Sequence, residues 1–65
     1  MARYYFHVHF DDQDEEDATG LDLPDLDTAI DEANRARIEL MTENELDKLW
    51  LEIADQSGRV LAKVG

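Results

Sequence analysis

The amino-acid sequence predicts one α+β domain spanning residues 1–65, a β-α-β-β chain whose three strands form a mainly antiparallel sheet with one helix packed on one face. Three observations carry this. An alternating aromatic and β-branched stretch opens the chain at Arg3–Phe10, an Asp-capped run with helical apolar spacing fills the middle, and two short apolar stretches flank Gln56-Ser57-Gly58 near the end.

In Arg3–Phe10 the alternation places Tyr4, Phe6, Val8 and Phe10 on one face of a first strand. Tyr5, His7, His9 and, if the strand continues, Asp11 then share the other face. Asp11–Asp17 has six carboxylates in seven residues, and like charges this dense resist packing, which predicts a mobile loop. Gly20–Leu23 has the length of a short edge strand returning beside the first, a fourth strand for the sheet. Pro24 and Asp25 then open the helix. Asp25 is a favoured N-cap, Asp27 sits in the first turn where the helix dipole favours negative charge, and apolar residues recur at Leu26, Ala29, Ile30, Ala33, Ala36, Leu40 and Met41. Arg37 falls near the centre of that stripe, so its aliphatic stem is expected along the core edge with the guanidinium reaching water or an acid. The polar stretch Thr42–Lys48 ends the helix.

Leu49–Asp55 and Arg59–Val64 then form a hairpin whose register depends on loop parity. An even loop aligns Leu51 and Ile53 with Val60, Ala62 and Val64, and sets Glu52 opposite Lys63 as a favourable pair. A three-residue loop with Gly58 in a bulge instead puts Lys63 among the leucines. The even register is preferred, and it leaves Trp50, Ala54 and Leu61 on the far face. One helix covers only one side of such a sheet. The other presents Tyr5, His7, His9, Trp50 and Leu61, an aromatic and apolar surface of the kind that marks an interaction site.

A chain of 65 residues buries only about 60% of the surface its unfolded form exposes. It has no cysteine, so neither a disulfide nor a thiolate metal site reinforces the core, and association with a second copy is the expected support. No apolar stretch approaches the roughly 20 residues needed to cross a bilayer, and no basic-then-apolar leader precedes the first strand, so the cytoplasm is the expected compartment. Charge is more informative. Seventeen acids face six bases. Eleven of the acids lie in Asp11–Glu32, which has no Lys or Arg, whereas Ala33–Gly65 has six acids against five bases. Nucleic acids and anionic membranes attract Lys and Arg, so both are excluded as partners.

Few residues suggest chemistry. His7-x-His9-x-Asp11 sets two imidazoles and a carboxylate on one strand face, a donor set suited to zinc, nickel or iron(II), although the pattern lacks a second element supplying ligands. The carboxylates Asp11, Asp12, Asp14, Glu15, Glu16 and Asp17 form an acidic surface with diffuse affinity for divalent cations. They are not an EF-hand, since counting from Asp12 puts Asp17 where glycine and Leu23 where glutamate are required. Ser57, the only serine, sits in the predicted hairpin turn without an expected histidine nearby. Tyr5, His7 and Trp50 resemble a base-stacking platform, but such platforms sit in basic grooves. No enzyme activity and no cofactor are expected.

Arg3-Tyr4-Tyr5-Phe6-His7-Val8, an acidic loop with a glycine, Leu23-Pro24-Asp25-Leu26 before an alanine-bearing helix, and the hairpin through Asp55 and Gly58-Arg59-Val60 together resemble a family of small bacterial domains of unknown function. The resemblance spans nearly the whole chain and implies the fold; it implies no catalytic residue. The opening strand, acidic turn and Pro-Asp-Leu are also similar to antitoxin domains of the HicB type, which implies binding rather than catalysis. The function expected is a noncatalytic protein-interaction module, homodimeric, with a basic protein as a further partner. The alternative is a divalent-metal-responsive domain using His7, His9, Asp11 and the acidic loop.

Overall fold

Asp25 fixes where the chain passes from extended to helical. In the computed structural model, which describes residues 1–65, Asp25 Oδ1 accepts from the Thr28 N–H at 2.8 Å and the Thr28 hydroxyl at 2.7 Å, and the helix α1 follows as Leu26–Asn44. A side-chain acceptor here satisfies a donor that the first turn otherwise leaves free. α1 ends inside the polar stretch, at Glu45, which is left-handed (φ 54°) while the N–H groups of Glu45 and Leu46 both turn back to the Met41 carbonyl. Glycine usually occupies such a cap because a Cβ crowds the neighbouring carbonyl. A carboxylate at the negative pole of the helix adds repulsion. Glu45→Gly is therefore expected to stabilise the fold by about 1 kcal/mol, read as a raised urea midpoint.

The strands are β1 (Ala2–Phe10), β2 (Gln13–Glu15), β3 (Leu21–Leu23), β4 (Leu49–Ala54) and β5 (Val60–Val64). All pairings are antiparallel; the sheet runs β2-β1-β4-β5, and β3 meets the first half of β1. Five strands replace the three or four expected, and the added one comes from the acidic stretch. Instead of forming a loop throughout, that stretch turns at Asp11 (φ 51°) and Asp12 and returns as β2, with Gln13 opposite Phe10, Asp14 opposite His9 and Glu15 opposite Val8. Aspartate tolerates the left-handed conformation better than most residues, and β2 is exposed throughout, so water screens its charges.

Tyr4, Ala29, Ala33, Leu49, Leu51, Ile53 and Val64 form the buried core, with Phe6, Val8 and Phe10 packed beside it, as the alternation of β1 requires. Leu51 and Ile53 are its largest fully buried side chains. Ala29 and Ala33, both 0% exposed, carry no bulk that would hold α1 off the sheet. α1 packs chiefly on β4, with smaller contacts to β5 and to β3 at the opposite border, and so crosses the sheet obliquely without substantial contact with β2. It is not long and apolar enough to cross a membrane.

In the hairpin Leu51 pairs with Val64, Glu52 with Lys63 and Ile53 with Ala62, the even register. Val60 departs from it. A bulge between Ile53 and Ala54 pairs Val60 with Ala54 and turns it off the core row, leaving it 45% exposed. Asp55 organises the turn: its Oδ1 accepts from the Ser57 hydroxyl and from the N–H groups of Ser57 and Arg59. These bonds, the Ser57 hydroxyl foremost, hold its carboxyl below the ordinary range. Arg37 directs its Nε to the backbone. That nitrogen donates to the Leu49 carbonyl at 2.8 Å and ties α1 to the start of β4.

Candidate functional site

The register of β1 with β4 builds the face opposite α1. Tyr5, His7 and His9 stand across from Ala54, Glu52 and Trp50, and Lys63 of β5 stands across from Glu52. His9 and Trp50 stack with ring centroids 4.1 Å apart and planes inclined by 15°, while Lys63 Nζ lies 5.2 Å from the Trp50 ring centroid. A cation over an indole face is attracted by its quadrupole, so Trp50 joins the three strands.

The acidic stretch clasps this face residue by residue. Gly20 (φ +75°) lies so close to β1 that a Cβ there would meet Arg3 Cγ at 2.8 Å and Tyr5 Cε2 at 2.9 Å. Only glycine fits both the conformation and the space. His7 Nδ1 accepts the Asp17 N–H at 3.1 Å, which leaves the His7 proton on Nε2. The Asp17 carboxylate accepts in turn from the N–H groups of Phe6 (3.2 Å), Thr19 (3.0 Å) and Gly20 (3.1 Å). A side chain thus takes the ladder position beside Phe6 that neither β2 nor β3 fills. Partial burial favours the neutral acid, but the backbone donors outweigh it and lower the Asp17 pKa.

Asp14 and Glu52 enclose His9. Asp14 Oδ1 lies 2.5 Å from Nδ1, and Glu52 Oε1 lies 2.5 Å from Nε2, at ion-pair distance although off the line of a hydrogen bond. A neutral imidazole has only one N–H, so two carboxylates at its two nitrogens favour the cation. Burial opposes the charge; Asp14 and Glu52 outweigh it and raise the His9 pKa above its ordinary 6.5. A raised histidine pKa gives stability that is complete below the ordinary value and lost as pH rises through the raised one. The urea midpoint is expected to fall as pH rises from 6.5 through the raised value, and His9→Gln is expected to remove most of that fall. An equal fall in the variant would place the titration elsewhere.

Among the acidic residues, Asp11, Asp12, Glu15 and Glu16 remain exposed and unengaged, whereas Asp14 is committed to His9 and Asp17 to the backbone. His7, His9 and Asp11 do not assemble as a ligand set. Asp11 sits in the turn, both His9 nitrogens face carboxylates and His7 Nδ1 is already an acceptor. No three His, Asp or Glu side chains are placed to hold an ion. The Ser57 hydroxyl donates to Asp55 at 2.6 Å within the hairpin turn. Of the aromatic face, the β1 row of Tyr5, His7 and His9 is covered in part by the clasp, while Leu61 on β5 is 37% exposed. The roles of Asp14 and Asp17 are invisible until β2 is known to pair; Glu52 was legible as the partner of Lys63, and its place beside His7 and His9 needs the β1–β4 register.

A family model described as a domain of unknown function, DUF6894, matches residues 3–65, in keeping with the resemblance to a small family of that kind; it lends no support to the HicB-type likeness. No curated protein and no solved structure matches the chain.

Proposed function

We propose, from the premise that this chain belongs to the DUF6894 family, a domain of unknown function, that it is a noncatalytic protein-interaction module that self-associates through β5. The observation behind this reading is the character of that edge. β5 ends the sheet order and exposes Val60 at 45% and Leu61 at 37%. An edge strand offers a row of N–H and C=O groups to another strand, as peptide-binding sheets do. Residues 56–65 hold two bases and no acid, so two copies meet there without the repulsion that the acidic stretch imposes elsewhere. The cytoplasm is the compartment this reading assigns.

Sedimentation velocity at low micromolar concentration is expected to show a two-copy species. Leu61→Arg should convert it to single copies with an unchanged circular dichroism spectrum. A protein that stays monomeric up to millimolar concentration sinks the reading.

A further inference from the structure

Because α1 crosses the sheet obliquely and makes no substantial contact with β2, the side of the sheet that carries the core is not fully covered. Between the C-terminal half of α1 and the β1–β2 hairpin runs a groove of about 420 Å³, lined by Val8, Phe10, Leu40 and Leu46, with Glu15 and Asn44 at its rim. We infer that this groove docks a basic amphipathic segment of a partner protein, which sets bulky apolar side chains between Phe10 and Leu46 and a Lys or Arg against the rim.

Two features select this occupant. The lining is mostly apolar, so a purely charged chain gains little by entering it. The surrounding charge is negative: Glu15 stands at the rim, Glu43 and Glu45 flank Asn44, and the last turn of α1 contains no basic residue, leaving the negative pole of the helix uncompensated. A second copy of this chain, at net charge −11, is the wrong partner for such a surface. The groove lies at the β1–β2 side, away from the β5 edge, and so stands whether or not the chain dimerises.

The test is a 15N NMR titration of the full chain at low salt with three synthetic peptides: an amphipathic Lys/Leu helix, a Lys/Ser peptide of equal charge, and a Glu/Leu amphipathic peptide. The Lys/Leu peptide is expected to shift the amides of Val8, Phe10, Glu15, Asn44 and Leu46 and to bind about tenfold or more tighter than either control, the gain expected from burying a bulky apolar side chain. Asn44→Trp, which fills the groove from an exposed position, and Glu15→Lys, which reverses the rim charge, should each weaken binding by about tenfold. Equal binding of the Lys/Ser peptide, shifts centred on Trp50 and His9 or on Asp11 and Asp12, unchanged affinity in Asn44→Trp, or no binding at millimolar peptide would each overturn the inference. Self-association is read separately by sedimentation, so the two proposals fail independently.

Discussion

Ile53→Ala is expected to cost about 3 to 4 kcal/mol, a large share of the roughly 3–10 kcal/mol available to a domain of this length. Ile53 is 0% exposed and sits in the middle of the sheet, between Phe6 on β1 and Ala62 on β5. Shortening it removes buried methyl groups and leaves a cavity, and the alanines of α1 have no longer side chain with which to fill it. Urea denaturation followed by circular dichroism measures the loss. Ile38→Ala is the control: Ile38 is 62% exposed, and its truncation should change stability by no more than about 0.5 kcal/mol. A cost below about 1 kcal/mol at Ile53 would mean that the core lies elsewhere.

Asp17→Ala should destabilise by about 2 to 3 kcal/mol, an unusual cost for an acidic residue in a surface segment. The carboxylate accepts three backbone N–H groups, one of them the partly buried N–H of Phe6. Removing it strands those donors and frees the connection between β2 and β3. Asp17→Asn retains an acceptor oxygen and should lose about half as much. The acid response separates charge from shape. The Asp17 pKa is lowered, so its contribution is present above the ordinary carboxyl value of 3.8 and is lost as pH falls through the lowered one. The wild-type chain should therefore lose stability on acidification beyond what Asp17→Asn loses. Hydrogen exchange at the Phe6 amide gives a local readout, with protection falling in Asp17→Ala first.

Residues that report through periodicity were legible in the sequence. The alternation of Arg3–Phe10, the Asp25 cap, the alanine-bearing stripe of α1 and the Glu52–Lys63 pair all appear in the structure. Each depends on near neighbours or on strand parity. The acidic stretch departs from the mobile loop that its charge density predicts. Its repulsion matters less once alternate carboxylates point into solvent and two of them, Asp14 and Asp17, find histidine and backbone partners. Those partners lie on another element, and no local pattern announces them. Val60 was misplaced for a different reason: parity counting assumes a regular ladder, and one extra residue at the bulge reverses it. The groove beside Phe10 was hidden as well, because a helical wheel shows which side of α1 is apolar but not where α1 sits across the sheet.

The carboxylate of Asp17 standing in for a strand makes the two borders of the sheet unequal. On one border β2 and β3 are three residues each, interrupted by a loop whose side chain already occupies the Phe6 N–H. A foreign strand finds there no continuous template, only short pieces bearing negative charge. On the other, β5 is one run of five residues, bulged near its start and free of acids. The self-association proposed above would thus be confined to one border of each copy, and a two-fold contact between β5 strands would consume both. Growth would stop at that point, with the acidic hairpins facing outward as terminators against propagation of a short, exposed sheet into a fibre.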